Sequence, residues 1–318
     1  ESQWFNGKRK AVINNKRQLQ GLMSRVLEGA YNKTPIIHNE LINRDYPSAQ
    51  AVAARNKLLY LILNESDKED FGIEKFPAEK AIYRSLLLAT GIHKENAKGE
   101  WLISEPDKNN LKVIKSRIHD VWERIDHFVS TTESGPKSFI ELNEELQAVP
   151  YGVKAGILPI LYIAYYRVYQ HEIALYEGRN YQPYFSEEML ERFVKRPGDF
   201  KIQRFRIKGL KASIFNEYAK ALGTDAKEKT LLSLAGPLAR KMSRIPEYTQ
   251  KTKEGVGAEA IRVRSAFNLS KSPESLLFKE LPKALGFEGI TDSIDEEELK
   301  SFSESLIKTL AEIENAYG

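Results

Sequence analysis

Residues 157–168 are the most apolar part of this 318-residue chain and contain a single charged residue, Arg167. The segment is long enough for a helix but too short to span a bilayer, so it predicts a buried core helix. The sequence IALYEGRNYQPYF follows it, with two short β-prone runs on either side of Gly178, a pattern typical of a hairpin. A helix, a turn, an apolar helix and a hairpin in this order indicate a winged-helix unit.

The first third of the chain predicts a similar order of elements. Apolar residues at spacings of three and four indicate amphipathic helices, and Thr34-Pro35 and Ser48 are expected N-terminal caps. The predicted elements are a hairpin around Asn6-Gly7, helices over 16–30, 34–43, 48–64 and 77–89, and a hairpin over 92–104.

The rest of the chain is also expected to be mainly helical. We predict helices over 111–129, 139–146, 209–222, 229–244, 257–267, 273–285 and 295–316, with a further helix that begins at Ser186. The predicted fold class is therefore mainly α with short β-hairpins. It consists of tandem winged-helix-like units over 1–108 and 109–208, followed by a helical region over 209–318.

Composition excludes several classes of protein. The chain has no cysteine, which rules out disulfides, thiolate zinc sites and a cysteine nucleophile. No stretch of about 18 uncharged apolar residues is present, and residues 1–10 have no apolar signal core. We therefore expect a soluble, cytoplasmic protein that does not bind a membrane.

The motifs of common catalytic and nucleotide sites are also missing. The chain has no GxxxxGK[ST] loop, no HExxH pair and no GxSxG turn, and Gly255-Val256-Gly257 lacks the third glycine of a dinucleotide fold. The five histidines are scattered, and solvent-exposed or helix-end positions are expected for them. We predict no catalytic, cofactor or metal site, and hence no enzyme.

Charge is distributed unevenly along the chain. Residues 190–271 contain 19 Lys+Arg against 8 Asp+Glu, whereas residues 272–318 contain 4 against 11. Such a basic block is either a surface that contacts phosphates or a face neutralised by the acidic C-terminal helix. The candidate nucleic-acid contacts are Lys195, Arg196, Lys201, Arg204, Arg206, Lys208, Lys211, Arg240, Lys241 and Arg244. The predicted helices over 34–43 and 48–64 are compatible with a helix-turn-helix, whose second helix would add Arg55 and Lys57.

Two details of the pattern have consequences for the site. In the predicted strand over 200–207, a bulge at Gln203/Arg204 would turn Arg204 outward with the neighbouring cations. Four tyrosines in the apolar helix have the helical spacing of core residues with hydroxyls at the rim, although tyrosines also form stacking platforms for single strands. They are Tyr162, Tyr165, Tyr166 and Tyr169.

Several longer stretches of the sequence together carry a resemblance to a known protein family. They include KTPIIHNELINR, FPAEKAIYRSLLLATGIH, VPYGVKAGILPILYIAYY and FVKRPGDFKIQRFRI, and the likeness covers about residues 17–208. The sequence resembles the region outside the motor domain in very large bacterial phage-defence P-loop ATPases, of the BREX BrxC or PglY type. This resemblance implies a fragment of a DNA-associated ATPase whose nucleotide site lies elsewhere.

Two functions follow as hypotheses. The first is a non-catalytic module that binds duplex DNA through the basic surface of residues 195–244. The second is a protein–protein scaffold that connects such an ATPase to itself or to other subunits of a defence complex, with the basic block covered by the acidic tail.

Overall fold

The computed structural model describes residues 4–182, 185–205, 212–223, 231–243, 256–290 and 294–315. Within these ranges the protein is mainly helical, with small antiparallel sheets, as the sequence predicts. Its contacts group into two compact units. Unit 1 is Glu1–Phe128 with Ile140–Val168, and unit 2 is Val129–Phe139 with Tyr169–Gly318. The three domain ranges predicted from the sequence stay a prediction.

Unit 1 contains two hairpins and most of the helices in the first half of the chain. A π-helical turn, Arg84–Leu88, continues its third helix. Three helices, α5 (Ile118–Ser130), α6 (Phe139–Gln147) and α7 (Leu158–Tyr169), contribute residues to both units. The elements are β1 (Trp4–Asn6), β2 (Arg9–Ala11), α1 (Lys16–Ala30), α2 (Ala49–Asn64), α3 (Ala78–Tyr83), β3 (His93–Glu95), β4 (Trp101–Ile103), α4 (Leu111–Ser116), α5 (Ile118–Ser130), α6 (Phe139–Gln147) and α7 (Leu158–Tyr169).

The ends of several helices follow directly from local sequence. The Ser48 hydroxyl accepts a hydrogen bond from the Ala51 N–H at the start of α2, as predicted. Asn15 caps α1 in the same way through the Gln18 N–H. Such caps satisfy backbone donors that have no partner inside the helix.

The predicted helix over 34–43 is wrong. This segment is irregular chain followed by turns, and its one bond of helical spacing joins the Asn43 N–H to the Asn39 carbonyl at 3.0 Å. The Ile36 N–H donates instead to a distant residue, the Ser116 carbonyl, at 2.8 Å. Ile37 and Ile42 are buried, so tertiary burial outweighs the local helix signal.

The single helix predicted over 111–129 is also wrong. It is divided at Arg117, whose backbone has φ 55° and ψ 18°, in the left-handed region. A left-handed residue ends α4 after Ser116, and α5 starts at Ile118.

The core of unit 1 is built around α7. Eight of its twelve residues are buried, including Leu161, Ile163 and Tyr165. The Tyr165 ring packs 5.3 Å from the ring of Trp122, and its hydroxyl donates to Asp126 at 2.6 Å. The Tyr162 hydroxyl reaches Asn143 at 2.8 Å in the same manner. These tyrosines are therefore core residues with satisfied hydroxyls.

Unit 2 combines a small sheet with a helical cluster. The sheet is antiparallel throughout, with the strand order β5–β8–β6–β7. In the helical cluster, α14 (Glu296–Asn315) packs its buried face, with Phe302 and Leu306, against α9 (Ala212–Leu222) and α11 (Ala258–Leu269). The elements are β5 (Lys137–Ser138), β6 (Ile173–Glu177), β7 (Asn180–Gln182), α8 (Glu187–Lys195), β8 (Phe200–Arg204), α9 (Ala212–Leu222), α10 (Leu231–Ser243), α11 (Ala258–Leu269), α12 (Pro273–Ser275), α13 (Leu281–Ala284) and α14 (Glu296–Asn315).

Candidate functional site

Arg204 lies inside unit 2, so the predicted bulge and its outward orientation are wrong. Strand β8 pairs residue by residue with β6, from Ile173 opposite Arg204 to Glu177 opposite Phe200. Regular pairing keeps the two-residue period, which places Phe200, Ile202 and Arg204 on one buried face. Arg204 is only 2% exposed.

The charge of Arg204 is compensated within unit 2. Its Nε atom lies 3.5 Å from a Glu172 carboxylate oxygen, and its terminal nitrogen donates to the Ser130 hydroxyl at 3.0 Å. The guanidinium also lies 5.1 Å from the ring centre of Tyr169. The structure therefore gives Arg204 an internal partner set rather than a phosphate-contacting position.

Neither of the two predicted contacts on α2 is a bare surface cation. Arg55 is 6% exposed, and burial lowers the pKa of its guanidinium. Lys57 is exposed but forms an ion pair with Glu79, whose side chain is nearly buried.

The remaining predicted contacts have mixed surroundings. Lys195 pairs with Glu191 at 3.4 Å, Arg196 and Arg240 are exposed, and Lys201 is half-buried. Lys241 pairs with Glu314 at 2.9 Å, which joins the basic block to the acidic C-terminal helix α14. Four further predicted contacts lie outside the described residues, namely Arg206, Lys208, Lys211 and Arg244.

A cleft of about 700 Å³ opens in unit 1. It forms where α1, the extended segment after it, the α4–α5 junction and the loop before α7 meet. The residues that line it include Leu27, Tyr31, Thr34, Arg117, Val153 and Lys154. Its volume is in the range of ligand pockets.

Glycines allow the segments around this cleft to approach so closely. A Cβ atom on Gly156 would lie 2.2 Å from the Ile42 carbonyl oxygen, and the Gly156 N–H donates to the Arg44 carbonyl at 3.0 Å. Gly152 has φ +58° and lies directly against the Tyr31 ring. These contacts join two stretches that lie far apart in the sequence and that both belong to the family resemblance, KTPIIHNELINR and VPYGVKAGILP.

The Lys154–Asp45 ion pair and the side chain of Arg117 line the same cleft. Lys154 Nζ lies 2.9 Å from Asp45, and this hydrogen bond holds the pKa of the Asp45 carboxyl below its usual value. Arg117 is half-buried, and its guanidinium makes no hydrogen bond or ion pair with the residues that the structure describes. Sequence reasoning missed Arg117, because no local signal marked the break between α4 and α5.

The predicted surface or helix-end position is wrong for one histidine, His93. His93 was expected at the surface or a helix end, yet it is fully buried among Phe71, Tyr83 and Trp101. Its Nε2 donates to the Ser66 carbonyl, so its Nδ1 accepts from the Tyr83 hydroxyl at 2.9 Å. Burial lowers the pKa of the imidazole.

Comparisons with known proteins give no neighbour, since no protein family, curated protein or solved structure matches this chain. The described part of the chain holds no cluster of three or more His, Asp or Glu side chains that could bind a metal ion. Within the same residues, no helix is long and apolar enough to cross a bilayer.

Proposed function

We propose that this chain is a non-catalytic protein-docking module, a scaffold region of a very large phage-defence ATPase of the type that the sequence resembles. Its winged-helix-like units are used for protein contacts rather than for reading DNA. The observation that carries this proposal is the burial of the helix before each of the two later hairpins, β3–β4 and β6–β7.

The order of elements supports a winged-helix-like interpretation of the middle of the chain. Helix α5, strand β5, helices α6 and α7 and the hairpin β6–β7 follow one another as in a winged helix. In a DNA-binding unit of this kind, the helix before the hairpin enters the major groove and presents an exposed face. Here that helix is α7, with eight of twelve residues buried.

The helix before the other hairpin, β3–β4, is buried as well. The helix before β3–β4 is α3 with its π-helical turn, and it buries Glu79, Lys80, Ile82 and Tyr83 in its first six residues alone. Arg84 is its exposed cation, but it pairs with Asp70 at 3.1 Å. A helix with so little free basic surface is poorly suited to a groove.

Exposed apolar residues on α1 support protein contact. The helix has no buried residue, and Met23, Val26 and Leu27 are between 43% and 54% exposed. Their spacing of three and four residues places them on one face. An apolar stripe of this kind is typical of an interaction surface.

Sedimentation velocity over a concentration series, with duplex-binding anisotropy on the same samples, tests the proposal. We expect concentration-dependent association and weak duplex binding. A chain that stays monomeric throughout and binds duplex with a steep salt dependence would contradict it.

Duplex binding is the second candidate. It is favoured by Arg196 and Arg240, which are exposed, and by Lys201, which is half-buried on the adjacent strand. These cations would contact phosphates without reading bases.

A further inference from the structure

We propose that the cleft around Arg117 binds a carboxylate side chain of a partner's extended peptide, with an apolar residue beside it. This inference rests on the proposed docking function and names the chemistry of one partner. The cleft adjoins the apolar face of α1, with which it shares Leu27.

The backbone of Arg117 is the first support. At φ 55° and ψ 18° it occupies the position after a helix where glycine is favoured, because a side chain there is strained. A residue with a long charged side chain is therefore an unfavourable choice for the fold. Strain of this sort is often retained where the side chain has a function.

The surroundings of the Arg117 side chain are the second support. Arg117 is half-buried and lines the cleft, and its guanidinium has no hydrogen bond or ion pair with any described residue. A guanidinium presents a planar set of donors that matches a carboxylate with two parallel hydrogen bonds. Thr34 lines the same cleft, and its buried hydroxyl has no hydrogen-bond partner among the residues that the structure describes. Both groups would gain partners from one bound carboxylate.

The other walls select a peptide rather than a nucleic acid. Leu27, Tyr31 and Val153 give the cleft an apolar lining that fits an aliphatic neighbour of the carboxylate. Glu28 is exposed at the rim, and Asp45 also lines the cleft, where Lys154 compensates it. A duplex carries about one negative charge per 1.7 Å of axis and would be repelled by these carboxylates. A single carboxylate brings one negative charge to Arg117 and meets far less of that repulsion.

The test uses a labelled library of capped hexapeptides, each with one Glu between apolar residues, and a matched library with Gln in place of Glu. Fluorescence anisotropy with the full chain measures binding. We expect a subset of the Glu peptides to bind at least tenfold more tightly than their Gln counterparts.

Variants then assign the binding to the cleft. Arg117→Gly removes the guanidinium at a backbone position that glycine adopts readily, so the protein should keep its thermal midpoint and lose at least tenfold in affinity. Thr34→Val removes the buried hydroxyl with little change of shape and should weaken the same peptides. Lys115→Ala, which removes an exposed cation two residues from Arg117, should leave affinity unchanged.

Several results would overturn the inference. They are equal binding of the Glu and Gln peptides, full affinity in folded Arg117→Gly, or no peptide bound more tightly than about 1 mM. Inorganic phosphate or adenosine monophosphate bound through Arg117 in place of every peptide would also overturn it. Because self-association is measured without peptide, its loss or retention reports on the docking function separately.

Discussion

At the scale of single residues, the contribution of the buried Arg204 to the stability of unit 2 can be measured. Replacing it with alanine leaves Glu172 and Ser130 without the partner that the structure gives them. We expect Arg204→Ala to lower the free energy of unfolding by about 3 kcal/mol, because it removes a large buried side chain together with its hydrogen bond to Ser130 and its pairing with the partly exposed Glu172.

Urea denaturation measures this change. Arg196→Ala removes an exposed arginine eight residues earlier and should stay within about 0.5 kcal/mol of the unchanged protein. Similar losses in the two variants would mean that Arg204 is not held as the structure describes. A charge-reversal test of DNA binding should therefore avoid Arg204, since unfolding would imitate lost affinity.

His93 predicts a pH dependence of stability. Burial lowers the pKa of the folded imidazole below the ordinary value of 6.5, so between these two pKa values the unfolded chain binds a proton that the folded chain does not. Stability should be independent of this group well above pH 6.5 and fall as the pH decreases below it. The slope approaches at most about 1.4 kcal/mol per pH unit.

Urea denaturation between pH 8 and pH 5 checks the effect. His93→Gln should flatten the curve in this window, whereas His38→Gln, at an exposed position, should leave it unchanged. An identical pH profile in His93→Gln and the unchanged protein would contradict the assignment.

At the scale of elements, the loop before α7 and the segment after α1 are joined through Gly156. Its Cβ position is 2.2 Å from a backbone oxygen of Ile42, which cannot rotate away as a side chain would. We expect Gly156→Ala to destabilise unit 1 by about 2 kcal/mol, a typical cost of overpacking. Thermal unfolding measures the change.

Gly29→Ala is the matched control, because no described atom beyond its own turn of α1 lies within 4 Å of its Cβ position. Alanine in an exposed helix should stabilise by roughly 0.5–1 kcal/mol. If Gly156→Ala were as mild as Gly29→Ala, the two segments would not be packed as described.

Elements with local signals were predictable from sequence, and those without were not. The hairpins at Lys98-Gly99 and Gly178, and the helices that begin after Ser48 and Ser186, depend on turn and cap residues beside them. The predicted helix over 34–43 failed because its apolar residues are buried by distant segments. The break at Arg117 has no sequence signal, because left-handed arginine is rare.

At the scale of the whole molecule, the effect of charge reversal on duplex binding distinguishes the two candidate functions. A triple variant, Lys195→Glu, Arg196→Glu and Lys201→Glu, reverses the described cations nearest the predicted DNA surface. Its control reverses Lys271, Lys279 and Lys283, which are exposed elsewhere in unit 2. Under the docking proposal, duplex anisotropy at low salt should change equally in both.

A specific DNA surface would give a different result. The first variant would lose tenfold or more relative to the control, and the salt dependence of log affinity would decrease by about 0.9 for each lost phosphate contact. That outcome would favour the second candidate.

The sequence by itself determined the helical class, the hairpins, the capped helix starts and the core role of the 157–168 segment, because these depend on periodicity and on neighbours along the chain. Only the tertiary structure decided which cations are exposed and which residues meet in the cleft. Arg204 and Arg55 look like surface cations in the sequence, but strand register and helix packing turn them inward. Burial depends on contacts between distant segments, and no local pattern of residues specifies those contacts.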